Sequence, residues 1–292
     1  MSDFRGVYPV VVTPFKENGE IDFNALAEHA DWMIKEGVHG LIPNGSTGEY
    51  AAMTWDEQKE VIRCVVDAAK GRVPVVAGVT AETANRVIEL ANTAKSYGAD
   101  GIMLLPPPYN NPTQEEVYNH FKTISESVDM PIMVYNNPWS TGVDISSDTL
   151  LRLLKLKNIE YCKECTGNVR RQRQILLGSN YGIKIFSGWD DLCYEAIAFG
   201  AVGWVSMAAN VFPKTCADMV NLLFEKKYED AWKIYLELLP WLSHLEDYGN
   251  SKQAIKYAAS RRGRNLGTCR QPFLPISEEQ KEAVDQAIAG LL

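Results

Sequence analysis

The feature that most constrains this chain is alternation. Eight short apolar runs rich in β-branched residues, at 7–13, 40–43, 73–78, 101–105, 132–135, 161–163, 183–186 and 203–206, are each followed by a stretch of helical period. Each strand-then-helix step implies a parallel crossover. Eight in succession favour an α/β fold of the (β/α)8 TIM-barrel type over an open doubly wound sheet. The clearest helices, 55–69, 84–97 and 115–127, follow Thr54, Thr83 and Thr113 as N-caps and contain no proline. Prolines gather instead in the loops after strands, at Pro106 to Pro108, Pro138 and Pro213.

After the eighth run the strand pattern stops. Helical segments are expected at 212–226, 228–245 with a kink at Pro240, 251–261 and 278–291. Residues 1–225 therefore read as the barrel and 226–292 as a C-terminal helical region packed on it. The 292 residues suffice for one barrel with such an appendage.

A net charge of −8 leaves no basic footprint for nucleic acid. The opening residues lack the charged leader and apolar stretch of a signal peptide, and no apolar run reaches the roughly 20 residues of a membrane span. A cytoplasmic protein without a membrane or nucleic-acid partner is expected. The six cysteines are scattered, as suits reduced thiols. Cys162 and Cys165 form a CxxC pair, but they flank a lysine inside a predicted strand and have no second pair at zinc spacing. His29, His39, His120 and His244 lack metal-ligand spacing, so no metal is expected. Arg170, Arg171 and Arg173 at a helix start could reach toward a carboxylate, but a solvated face is the favoured reading.

Three segments carry chemistry. In the sixth run, strand alternation puts Tyr161, Lys163 and Cys165 on one face. Turned into a barrel, that face brings Lys163 to the C-terminal rim, where desolvation would free its amine to attack a ketone. A strand-end lysine that snorkels to solvent is the bland alternative. Tyr135, ending the fifth run, is within reach of the next strand and can relay protons, or can simply bond a backbone carbonyl. Gly45-Ser46-Thr47-Gly48-Glu49, after the second run, permits a tight turn whose N–H groups face inward and suit a carboxylate. It lacks the ending of a phosphate-binding loop.

These segments together resemble the dihydrodipicolinate synthase and N-acetylneuraminate lyase superfamily of class I aldolases, from about Gly6 to Pro275. The matching motifs are Gly45-Ser46-Thr47-Gly48-Glu49, Tyr135-Asn136-Asn137-Pro138 with Thr141-Gly142, and Lys163-Glu164-Cys165-Thr166-Gly167-Asn168. The resemblance implies a Schiff base on Lys163 without external cofactor, Tyr135 as general acid and base, and Ser46 with Thr47 on the substrate carboxylate and in the proton relay. It also implies that Tyr109 completes the relay across a subunit interface of a homotetramer. Gly48, Thr166, Gly188, Asp190 and Ser206 match positions around the rest of the pocket.

Two departures bear on the substrate. The synthase branch carries an arginine two residues past the loop proline, where this chain has Ser140; the neuraminate lyases have tyrosine-histidine-isoleucine-proline where it has Tyr135-Asn136-Asn137-Pro138. The segments 131–138 and 200–206 look more like sugar-acid dehydratases or hydroxyproline-pathway deaminases of the superfamily. The expectation is a Schiff-base lyase acting on a small 2-oxo acid, such as a 2-keto-3-deoxy sugar acid. The alternatives are the synthase condensing pyruvate with aspartate semialdehyde, and a catalytically silent 2-oxo-acid sensor.

Overall fold

The computed structural model describes residues 3–292. A mixed α/β fold is built on a parallel seven-stranded sheet. Its strands are β1 (Gly6–Pro9), β2 (Val76–Gly78), β3 (Gly101–Leu104), β4 (Ile132–Asn136), β5 (Ile159–Glu164), β6 (Lys184–Ser187) and β7 (Gly203–Ser206). They are bonded in the order β1-β7-β6-β5-β4-β3-β2. The predicted run 40–43 is no regular strand, because Pro43 has no N–H to continue a ladder. Its middle is nevertheless bonded on both sides. Ile42 bridges Val10 and Leu41 bridges Val75, both parallel. Val11 N–H donates to Ile42 O at 2.9 Å, and Val76 N–H to Leu41 O at 2.9 Å.

Strand alternation sends the residues of β4 to β7 into two of the three core clusters of the described residues. Met133, Tyr135, Tyr161, Phe186 and Val205 share one buried cluster enclosed by the strands. Their sequence neighbours Ile132, Val134, Cys162, Ile185 and Trp204 belong to a second cluster, together with helix residues such as Val87, Leu90 and Phe121. The inner cluster has an aromatic floor: Phe4 stacks on Tyr161 at 4.8 Å between ring centroids, and Tyr8 meets Phe186 edge-on at 5.2 Å.

Among the described residues the twelve α-helices are α1 (Phe23–Lys35), α2 (Trp55–Ala69), α3 (Ala84–Tyr97), α4 (Gln114–Ser127), α5 (Pro138–Thr141), α6 (Ser147–Leu153), α7 (Val169–Gly178), α8 (Cys193–Ala198), α9 (Pro213–Phe224), α10 (Tyr228–Asp247), α11 (Ser251–Arg261) and α12 (Glu278–Ile288). Thr54 and Thr113 close capping boxes with Glu57 and Glu116, whereas Thr83 caps without a side-chain bond. α10 runs unbroken through Pro240 to Asp247. Leu238 and Trp241 of α10, Ile255 of α11 and Val284 of α12 bury in the same cluster as the outward strand residues. No helix among the described residues is long and apolar enough to cross a membrane.

Candidate active site

Parallel pairing of β4 with β5 sets Tyr135 directly opposite Lys163. Both side chains turn inward above the aromatic floor, and each is only 5% exposed. The Lys163 Nζ lies 4.0 Å from the Tyr135 ring centroid. Asn137 Nδ2 donates to the Tyr135 hydroxyl at 2.9 Å, and the Cys165 thiol lies 3.9 Å from it. On the other side of Lys163 comes Gly188, just past β6. A Cβ there would stand 2.1 Å from Cys165 Sγ and 3.0 Å from Lys163 Cε. A side chain at 188 would collide with the Cys165 thiol and crowd the Lys163 stem.

The electrostatics correct one expectation. Burial by itself disfavours the Lys163 ammonium, but the phenol of Tyr135, the thiol of Cys165 and the carboxyl of Asp190 outweigh it, and its proton affinity moves upward. Burial likewise pushes the Tyr135 phenol upward and the Cys165 thiol to about 12. Desolvation alone therefore does not free the amine. Cys162 points to the outer cluster and Cys165 to the inner one, so the CxxC pair is two separated, buried thiols.

The 44–49 turn is held from below. Asn44 and Glu49 adopt left-handed backbone, with φ of 59° and 62°. Thr13 Oγ1 donates to Gly48 O at 2.7 Å, and the Glu49 carboxylate pairs with Lys256 of α11 at 2.7 Å while accepting from Arg270 N–H at 2.9 Å. The backbone N–H groups of Ser46 and Thr47, by contrast, donate to no protein acceptor among the described residues. They are free for an anion.

A cavity of about 560 Å³ joins these parts, which is ample for a small acid and a second reactant. Of the residues singled out from sequence it collects Ser46, Thr47, Tyr135, Lys163 and Gly188. Others lie outside its lining. Gly48 is buried under the turn, where a Cβ would meet Val11 O at 2.7 Å. The Thr166 N–H donates to the buried Glu164 carboxyl at 2.8 Å. Asp190 and Ser206, both fully buried, bond each other at 3.2 Å, and Asp190 also accepts from Ala208 N–H at 2.8 Å. They brace the loops rather than face the cavity. Tyr109 is 83% exposed and away from Lys163's pocket in the single chain. Arg171 is not solvated: it sits 3.4 Å from Glu164 and 2.8 Å from Asp144.

The cavity also takes in Cys165 and Asn137 from the matched motifs and two groups that the sequence did not single out, Glu246 and Lys252 from the C-terminal helices. Glu246 accepts from Asp190 N–H at 2.8 Å. Burial, then the Asp190 charge, push its carboxyl up to about 8. Both Glu246 and Lys252 had a signal, since each is a charge at the helix end where the macrodipole disfavours it. A wider groove of about 740 Å³ between α1 and α2 is lined by charges that pair among themselves, such as Lys35 with Asp31, and bears no comparable constellation.

Residues 3–290 match the Dihydrodipicolinate synthetase family. A relative from Afipia carboxidovorans, 4-hydroxy-tetrahydrodipicolinate synthase, is 38% identical over 293 residues, covering 100% of this chain and 98% of its own. Among solved structures, the chloride-inhibited dihydrodipicolinate synthase of Acinetobacter baumannii, complexed with pyruvate, superposes with a TM-score of 0.95 at 32% identity, covering 99% of both chains. A monomeric dihydrodipicolinate synthase variant superposes with a TM-score of 0.92 at 30% identity, covering 98% of this chain and 96% of its own.

Proposed function

The chain belongs to the dihydrodipicolinate synthetase family, and from that premise we propose that it is a class I lyase that forms an imine between Lys163 and pyruvate and condenses it with aspartate semialdehyde. The observation that carries this is the buried pairing of Lys163 with Tyr135, 4.0 Å from amine to ring, beside two free backbone N–H groups. The Lys163 amine adds to the 2-oxo carbon, the oxygen leaves as water, and the imine draws electrons from the neighbouring carbon as that carbon loses a proton. The resulting enamine attacks the aldehyde carbon, and Tyr135 supplies the proton that the aldehyde oxygen takes up. The amine of the second reactant then adds to the imine carbon and displaces Lys163, which leaves as the free amine. Ser46 and Thr47 hold the pyruvate carboxylate. The lysine is its own electron sink, so no external cofactor is required.

Incubation with pyruvate, borohydride reduction and peptide mass mapping are expected to place one adduct on Lys163 and none on Lys163→Ala. Absence of an adduct in the wild-type chain would refute the imine. A coupled assay with pyruvate and aspartate semialdehyde then tests the condensation. A second reading, cleavage or dehydration of a 2-keto-3-deoxy sugar acid through the same imine, is favoured by one observation: α5 brings no cation to the cavity, and Ser140 there is exposed. Turnover of such an acid with no turnover of aspartate semialdehyde would select it.

Within the same proposal, the seven strands with Leu41–Ile42 between their edges constitute a (β/α)8 barrel over residues 1–225, and residues 226–292 its C-terminal helical region. Bonding of Leu41 and Ile42 on both sides supports that closure. Assembly as a homotetramer, with the exposed Tyr109 of one copy completing the relay of another, is the expected state. Sedimentation measures it directly, and a monomer with full activity would refute Tyr109's role.

A further inference from the structure

The cations lining the cavity are Lys163, which the imine consumes, and Lys252. Lys252 is the second residue of α11, where the helix dipole already concentrates positive potential. It is partly buried, and no hydrogen bond or ion pair holds it among the described residues. Its contact is the Phe273 ring, 4.6 Å from Nζ to centroid. Burial lowers its proton affinity. The carboxylate whose charge acts on it, Glu49, is already bound to Lys256 at 2.7 Å and to Arg270 N–H at 2.9 Å. Nor is the helix end capped: Asn250, 5% exposed at the N-cap position, makes no side-chain capping bond, and both its side-chain polar atoms lack partners. An unpaired ammonium at an uncapped helix start on a cavity wall leaves three unfavourable features uncompensated. One anion would relieve all three.

The pyruvate carboxylate has its own place at Ser46 and Thr47. We propose that Lys252, with the first turn of α11, holds the carboxylate of the second reactant, so that the C-terminal helices read an acidic aldehyde that the α5 loop has no cation to grip. This rests on the imine reading of Lys163.

The test uses the full chain with its imine fixed. Pyruvate is reduced onto Lys163, and binding of aspartate semialdehyde to that adduct is measured by calorimetry for the wild type, Lys252→Met and Lys252→Arg. The methionine variant is expected to bind about 30-fold more weakly, as for loss of a charged hydrogen bond, and the arginine variant within about 5-fold of wild type. The pyruvate concentration that half-saturates adduct formation stays unchanged in both. Equal binding in Lys252→Met, or no binding to the wild-type adduct, overturns the proposal while leaving the imine standing. So does a shift in pyruvate half-saturation, which would put Lys252 on the first carboxylate. If no adduct forms, both readings fall.

Discussion

The two walls of the cavity are built on opposite terms. On the strand wall each group is fixed by regular structure: Tyr135 faces Lys163 through strand register, and Gly188 leaves room for the Cys165 thiol and the Lys163 stem. On the wall from α10 and α11 the charges sit against the local field. Glu246 lies in the last turn of α10 and Lys252 in the first turn of α11, each at the end that repels its sign. One turn further along α11, Lys256 shows what an ordinary buried lysine looks like: 4% exposed, paired with Glu49 at 2.7 Å and donating to Thr13 O at 2.8 Å and Thr268 O at 2.7 Å. Paired charge holds a turn in place, whereas unpaired charge waits for a ligand. On the proposed reading the strands supply the chemistry and the helices the choice of substrate.

Removing the phenol breaks the strand wall. Tyr135→Phe keeps the ring under the amine but deletes the proton carrier, and kcat is expected to fall about 1,000-fold. Lys163 still reacts slowly with pyruvate, and mass mapping after borohydride separates that surviving step from lost turnover. A fall below about 10-fold would mean that another group moves the proton.

Lys256→Met breaks the brace between the walls. It strands the Glu49 carboxylate in the interior, and a cost of about 3–5 kcal/mol in urea unfolding is expected. The double variant with Glu49→Gln should recover much of it. If Lys256→Met alone costs no more than a surface lysine, the turn does not depend on α11.

The strand wall was legible in sequence because period-two alternation and parallel register assign a face to each residue. Tyr161, Lys163 and Cys165 follow from the β5 run alone, Trp55–Ala69 and Ala84–Tyr97 begin after the threonines expected to precede them, and Ser251–Arg261 has the bounds its periodicity gives. The short ladder at Leu41 and Ile42 was harder, since Pro43 truncates it. The rise in Lys163 proton affinity was hidden for another reason: desolvation is a property of one residue, while the opposing pull of Tyr135, Cys165 and Asp190 exists only after three strands meet. Glu246 and Lys252 were hidden by distance along the chain. A helix pattern shows that a charge lies at an unfavourable end, not which cavity that end closes.

The smallest expected effect sharpens the helical wall. An ordinary glutamate titrates near 4.5, while burial and the Asp190 charge push Glu246 up to about 8. Between those values the folded chain holds a proton that the unfolded chain has released. The favourable contribution is therefore complete below about pH 4.5 and is lost as pH rises through about 8. Glu246→Gln keeps an acceptor for Asp190 N–H but never ionises. Its melting temperature should match wild type at pH 5 and exceed it by about 2–4 °C at pH 9. A constant offset at both pH values would show that Glu246 ionises as an ordinary surface acid, and that the wall from α10 and α11 is not under electrostatic load before a substrate arrives.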